Sequence, residues 1–331
     1  MRTQGNLFSG LTPLVSVIVP NYNHARFLPQ RLDTIFAQTF RNFEVIVLDD
    51  LSTDESRNVI KQYAASHPMR LLFNEENSGS PFIQWQRGAN LATGKYLWIA
   101  ESDDYADPRL LERLVAVMEE SPHVGLAYCE SRTVTAEGQV GETFEYWNRV
   151  LHPTRWRSDY QNGGRDEITN YTFIQNTVPN ASAVLVRREI FQLAINGAAS
   201  HRLCGDWLTW INTMLRADVA FISEPLNYFR VHNHSVRATT RAHLYCVEEF
   251  AIKAHLCGLL KIPMRMRSKA FGMVYQKWRL SVRDFQTSID YAWIRKIYAY
   301  CWTVYAPGTI RMTACLVRAN AGRIFHRPPI H

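Results

Sequence analysis

The chain has 331 residues, 47% of them hydrophobic and 20% charged, a composition that excludes a disordered or fibrous protein and suits one large domain or a domain with an appendage. Its formal charge of +7 is unevenly placed: residues 241–331 hold 15 Lys and Arg against 4 Asp and Glu, whereas residues 1–240 hold 22 against 26. A basic carboxyl-terminal end suits an anionic surface, whether lipid headgroups, phosphates or nucleic acid, and composition does not choose among them.

From Val15 to about Ser131, short β-branched or aromatic runs alternate with amphipathic stretches, the rhythm of an α/β protein built on a mainly parallel sheet flanked by helices. The first strand is expected over residues 15–19, and the helix after it carries the apolar stripe Leu28, Leu32, Ile35 and Phe36. A second strand is expected over 43–48, followed by Ser52 and Glu55 at capping-box spacing. Strands over 71–74 and 96–99 bracket a helix opened by Pro81; Pro29 and Pro108 also sit where a first helical turn tolerates a missing N–H. Leu110, Leu111, Leu114, Val115 and Met118 form the stripe of a helix before a strand over 125–129.

Residues 138–176 are polar, aromatic and weakly periodic, as expected of an excursion over the substrate side of the sheet. A strand over 179–187, a short helix over 188–194 and a helix over 206–215 follow. After Val236 the pattern is helical to the end, interrupted at Pro263 and at Pro307-Gly308. The expected division is a catalytic domain over 1–236 and a basic, aromatic-rich helical region over 237–331. The six cysteines lie far apart without a CxxC pair, as reduced packing residues would. The opening MRTQGNLFSGLTPL lacks the features of a secretory signal, and no apolar run approaches about 18 residues, so a cytoplasmic protein that does not span a membrane is expected.

Ligands of open α/β sheets bind beyond the carboxyl ends of the strands. Three such ends are rich in polar groups: Pro20-Asn21-Tyr22-Asn23, Asp49-Asp50 with Leu51-Ser52, and Glu101-Ser102-Asp103-Asp104. Carboxylates gathered on one rim repel one another unless a cation or hydrogen-bond donors occupy it. A Mg²⁺ or Mn²⁺ ion bridging protein and a diphosphate is the natural occupant, since such ions use one or two carboxylates and take the remaining oxygens from water and phosphate. An Asp-Asp pair after a strand also serves as a simple turn or helix cap, so the combination carries the argument.

Four segments in order, VSVIVPNYN (15–23), FEVIVLDDLSTDES (43–56), ATGKYLWIAESDD (92–104) and CGDW (204–207), resemble the successive motifs of family-2 glycosyltransferases with the GT-A fold. The resemblance covers roughly residues 14–232 and leaves the basic tail without family support. It implies an inverting transfer of sugar from a nucleoside-diphosphate sugar to a hydroxyl. Pro20, Tyr22 and Asn23 would lie at the nucleotide, with the Tyr22 ring stacked on the base and Asp50 accepting a base N–H; a carboxylate there favours UDP, with dTDP or GDP as alternatives. Asp103 and Asp104 would touch the ribose and hold the metal, without a separation of the two roles. Glu101 departs from the family, which often has Asp there. Asp206 would be the catalytic base, its alternative being a cap before Trp207. His232 would approach the metal or diphosphate, Arg230, Ser235 and Arg237 would add anion contacts with His234 less favoured, and Asn77, Ser78, Gly79 and Arg87 would reach the donor.

In the tail, Trp293, Tyr298, Tyr300, Trp302 and Tyr305 mix with Arg295, Lys296, Arg311, Arg318 and Arg323, a pattern that suits a membrane interface and a polyprenyl-linked or other glycan acceptor, or equally a helical cap with a solvated basic face. The expected setting is the cytoplasmic face of the inner membrane, in polysaccharide or lipopolysaccharide assembly. No nucleic-acid motif is present, and PNYNH lacks the glycine that nucleotidyltransferase or dinucleotide-binding phosphate loops need. An inactive relative that only binds sugar nucleotide is the remaining alternative.

Overall fold

The computed structural model describes residues 12–232, 242–283 and 291–324. They form two compact units, the first from stretches within 1–168 and 177–238, the second from stretches within 169–176 and 239–331. The expected boundary at 236–237 lies outside the described residues, as do Ser235, Arg237 and His234.

The first unit runs β1 (Val15–Asn21), α1 (Leu28–Phe36), β2 (Phe43–Asp49), α2 (Ser56–Ala64), β3 (Arg70–Phe73), α3 (Pro81–Leu91), β4 (Tyr96–Ile99), β5 (Tyr105–Ala106), α4 (Leu110–Glu120) and β6 (Val124–Thr135). Then come β7 (Val140–Thr143), α5 (Glu145–Asn148), β8 (Tyr160–Asn162), α6 (Gly164–Glu167), β9 (Val184–Arg187), α7 (Arg188–Ala194), α8 (Gly205–Met214) and β10 (Asp218–Val231). The sheet order is β3-β2-β1-β4-β9-β6-β10-β5, with β7 on β6 and β8 on β10. In the parallel part, Val17 lies opposite Val45 on one side and Trp98 on the other.

Every residue of β1 is buried, because helices cover both faces of this part of the sheet and both sets of alternating side chains must be apolar. Val17 and Val19 join Leu32, Ile35, Leu114 and Met118 in one cluster, so the stripes of α1 and α4 are core. Burying a side chain of this size contributes roughly 1.5–3 kcal/mol.

The sheet is parallel from β3 to β4, as expected, and mixed beyond: β9 is antiparallel to both β4 and β6, while β10 is parallel to β6. The reason is topological. The chain leaves after β6, builds the 138–176 excursion from short elements and returns to fill the gap between β4 and β6 from the opposite end. β10 was not foreseen, and it carries Pro225, a residue unusual in a central strand. The structure accommodates that proline with register shifts on either side of it.

Pro29 and Pro81 occupy the first turns of α1 and α3 as expected. Pro108 instead precedes α4, and its carbonyl accepts the Thr39 N–H at 2.8 Å. The capping box did not form: α2 begins at Ser56 behind Glu55 without a side-chain cap, and Ser52 is engaged by the β1 loop instead.

The second unit is helical, with α9 (Ala242–Leu259), α10 (Met264–Arg283) and α11 (Tyr291–Ile324). The break at Pro263 falls between α9 and α10. Tyr305, two residues before Pro307, departs from helical geometry (φ −158°, ψ 87°), so α11 is two helices joined at a kink. Phe271 sits at the centre, with Phe250 and Tyr305 rings each 5.8 Å away. Gly308 is required beside it, since a Cβ there would stand 2.5 Å from the Phe271 ring. Among the described residues no helix is long and apolar enough to cross a membrane.

Candidate active site

β1 and β2 end side by side, and their loops are sewn together by short polar side chains. The Asn21 amide donates to Asp49 Oδ2 (2.9 Å) and Ser52 Oγ (3.1 Å), while the Asn23 N–H donates to Ser52 Oγ (2.9 Å). Asn23 Oδ1 in turn accepts the Thr53 N–H at 2.7 Å, and Arg57 closes on Asp49 Oδ1 at 2.7 Å. Among the described residues the non-glycine positions with positive φ are Asn23 (58°) and Leu51 (62°), one in each loop. Left-handed backbone costs an L-residue roughly 1–2 kcal/mol, so this hydrogen-bonded clamp holds strain at the rim. Pro20 is buried opposite Leu48, and Tyr22 projects with 48% of its surface exposed, as a ring available for stacking must be.

Asp50 is the anchor of the next loop. Its Oδ1 accepts from Asn74 Nδ2 (2.7 Å), the Ser78 N–H (2.9 Å) and Gln84 Nε2 (2.9 Å), and its Oδ2 from Ser78 Oγ (2.7 Å). Asn77 donates to the Asp50 carbonyl at 2.8 Å. Asn77 and Ser78 thus fix the loop around Asp50, and Oδ2 keeps room for a further donor. Arg87 stands exposed on α3, beyond this loop.

The end of β4 is arranged otherwise. Asp103 Oδ2 meets His232 Nε2, at the end of β10, at 3.0 Å. His24, just past the Asn23 turn, is held through Nδ1 by Ser102 Oγ at 2.9 Å, and its ring centre lies 5.7 Å from that of His232. Ligand atoms of His24, Asp103 and His232 all lie within 4.8 Å of one another. Imidazole nitrogen and carboxylate oxygen converging in this way form a donor set that fits a divalent ion. Burial works to raise the Asp103 carboxyl, but the His232 hydrogen bond and the two imidazole charges outweigh it and leave it below the ordinary value.

Asp104 is not in that set: its Oδ1 accepts the Arg230 N–H at 2.8 Å, and burial together with the Asp103 charge pushes it up to about 7. Glu101 is pushed up to about 8 by burial and by Asp103, with its Oε1 accepting the Trp85 indole N–H at 2.7 Å. Arg31 lies fully buried beneath the loop with Nε on the Glu101 carbonyl (2.8 Å) and Nη1 and Nη2 unpartnered among the described residues. Burial lowers it to about 10 against the pull of Asp104, Asp103 and Glu101. Arg230 differs from the anion-binding role expected of it. Its guanidinium donates to the Asp103 carbonyl (2.7 Å), the Thr135 carbonyl (2.8 Å) and Gln30 (2.7 Å), so it is a buried strut.

Asp206 is the second residue of α8, behind Cys204 at the N-cap position, so it sits where the helix dipole favours a carboxylate rather than at the cap itself. The start of α8 docks tightly on α3: a Cβ on Gly205 would stand 2.5 Å from the Phe82 ring. Trp210 stacks on Trp85 at 5.9 Å, which links α8 through Trp85 to Glu101. The sequence reading missed His24, Arg31 and Gln84. The only signal for His24 was its place directly after the PNYN strand end.

The sequence profile described as Glycosyl transferase family 2 matches residues 16–192, more than half of the chain. The chain belongs to glycosyl transferase family 2. A curated relative from Haemophilus influenzae, named an uncharacterized glycosyltransferase, is 25% identical over 231 residues, 69% of this chain and 71% of its own length. Putative glycosyltransferase EpsE of Bacillus subtilis is 36% identical over 34% of this chain and 40% of its own. Among solved structures, S. aureus TarS 1-349 in complex with UDP-GlcNAc superposes with a TM-score of 0.67 at 16% identity, covering 89% of this chain and 82% of that one. Mannosyltransferase PcManGT from Pyrobaculum calidifontis, in complex with GDP-Man and Mn²⁺, gives 0.57 at 19% identity over 96% and 89%. The family-2 chain is therefore a glycosyltransferase with the GT-A fold.

Proposed function

We propose that this family-2 enzyme transfers a sugar from a nucleoside-diphosphate sugar, a UDP-sugar by preference, to a hydroxyl of a glycan or lipid-linked glycan, with inversion and with a divalent ion. The observation that carries the reading is the meeting of Asp103 and His232, brought from the ends of β4 and β10, on the same rim as the exposed Tyr22 and the anchored Asp50. Tyr22 offers a face to the base, and Asp50 Oδ2, with its single hydrogen bond from Ser78, offers an acceptor for a base N–H. Asn23 supports that platform by holding the 52–54 turn. Arg87 would act on the donor only at the outer edge.

Asp103 and His232 would hold the ion, with Asp104 fixing the loop behind them. When bound, the ion neutralises charge developing on the leaving diphosphate. Asp206 accepts the proton of the acceptor hydroxyl as it attacks, a contribution of roughly 10²–10⁴ in rate, and attack opposite the diphosphate inverts the anomeric centre in one displacement. In the second unit, Arg295, Ala299 and Trp302 follow i, i+4, i+7 spacing and are all exposed, which supports contact with an anionic membrane surface such as the cytoplasmic leaflet that carries a polyprenyl-linked acceptor. Trp302→Ala with Arg295→Glu should then weaken sedimentation with anionic liposomes.

The test is a calorimetric panel of UDP, GDP, dTDP and CMP with and without Mn²⁺ or Mg²⁺, alongside Asp206→Asn. The expected result is metal-dependent binding of one nucleoside diphosphate, and a mutant that binds it normally while losing transfer by at least about 10²-fold. Absence of all nucleotide binding would overturn the reading. Normal transfer by Asp206→Asn would remove the base.

A further inference from the structure

We infer that His24 is a third protein ligand of the ion, making the site a two-histidine, one-carboxylate set that selects a borderline transition ion of the Mn²⁺ and Co²⁺ type over Mg²⁺. The inference rests on the metal-dependent reading above and adds to it a residue and a selectivity.

The geometry is that of an ion cradle. Cis ligands of an octahedral ion with bonds of about 2.1 Å stand roughly 3.0 Å apart, and His232 Nε2 lies 3.0 Å from Asp103 Oδ2. The His24 donor is within 4.8 Å of both. Its orientation is fixed from behind. With Nδ1 held by Ser102 Oγ, Nε2 is the nitrogen left for the cluster, and such outer hydrogen bonds are how ligating histidines are set in one tautomer. Phe27 packs against both rings, at 6.2 Å from His24 and 5.4 Å from His232, and holds them at right angles to one another (86°).

The positions are also independent in the chain. His24 comes from the β1 loop, Asp103 from the β4 end and His232 from the β10 end, so three separate elements must converge for the set to exist. The ligand chemistry then decides the metal. Mg²⁺ prefers oxygen donors and dehydrates reluctantly, whereas each imidazole favours the later first-row ions, with affinity rising from Mn²⁺ to Co²⁺. Two imidazoles and one carboxylate would hold the ion and leave its remaining positions to water or diphosphate oxygens.

The experiment titrates the full chain with Mn²⁺, Co²⁺ and Mg²⁺, each with UDP and with GDP, for the wild type, His24→Gln and Asp103→Asn. Circular dichroism verifies folding, and pulsed electron paramagnetic resonance of bound Mn²⁺ reads the nitrogen ligands. The expected outcome is Co²⁺ and Mn²⁺ bound at least about tenfold more tightly than Mg²⁺ by the wild type, with two imidazole couplings. His24→Gln, which offers oxygen in place of nitrogen, should lose one coupling and about tenfold in Co²⁺ and Mn²⁺ affinity while Mg²⁺ changes little. If Asp103→Asn abolishes Mn²⁺ binding but His24→Gln matches the wild type, His24 is not a ligand and the metal-dependent reading survives. A wild type that binds Mg²⁺ as tightly as Mn²⁺, or shows one imidazole coupling, overturns the inference without a variant. If the wild type binds none of the three ions, both fall together.

Discussion

At the end of β2, Asp49 receives hydrogen bonds from Asn21, Ser52 and Arg57, and Asp50 receives them from Asn74, Ser78 and Gln84. At the end of β4, Asp103 faces two histidines, Asp104 and Glu101 are pushed up to about 7 and about 8 by burial and by Asp103, and two nitrogens of Arg31 beneath them have no partner among the described residues. The two loops look alike in the sequence, each a pair of aspartates after an apolar run. One has its charges matched by fixed protein donors and serves as a rigid platform. The other crowds three buried carboxyls against two imidazoles and the Arg31 guanidinium, an arrangement that a cation entering beside Asp103 would favour.

Breaking each loop separately should therefore give opposite kinds of defect. Asp103→Asn removes the one carboxylate between the histidines; transfer should fall by at least about 10²-fold with the fold retained, measured by steady-state kinetics and circular dichroism. Asp50→Ala removes the acceptor shared by Asn74, Ser78 and Gln84 and should destabilise the protein by about 2–4 kcal/mol, read as a fall in the urea midpoint. Equal losses of stability in the two variants would erase the distinction between the loops.

A third carboxylate separates burial from clustering. Glu130 on β6 is pushed up to about 7, chiefly by burial, although it accepts the Ser131 and Phe144 N–H groups at 2.7 and 3.1 Å. The folded state keeps this proton up to about pH 7 while the unfolded chain releases it near its ordinary value of about 4.3. Between those limits the unfolded state binds fewer protons, so the Glu130 contribution lowers stability as pH rises, and the slope vanishes above the folded value. Glu130→Gln should flatten the stability profile by about 1–2 kcal/mol across pH 4.5–7 without altering transfer. A profile unchanged by this substitution would mean that burial alone does not shift carboxylates here, and the contrast between the loops would rest on Asp103 alone.

Much of this was legible because it is local. The apolar runs of β1, β2 and β4, the stripes of α1 and α4 and the proline starts of α1 and α3 depend on neighbouring residues, and they appear where the period and the turn chemistry put them. The polar strand ends were legible as a group for the same reason. What each polar residue does there was not. Ser52 had the spacing of a cap and became a clasp for Asn21 and Asn23, and Arg230 had the charge for a phosphate and became a strut. Both outcomes depend on which donor a distant loop presents.

The sequence by itself determined the α/β class, the family and which strand ends are polar, because periodicity and ordered motifs are properties of contiguous residues. Only the tertiary structure decided that β9 runs antiparallel between β4 and β6, that Asp103 rather than Asp104 faces His232, and that His24 joins them. Those facts are set by side chains up to 208 positions apart meeting at one rim, and no local pattern encodes a distance between them.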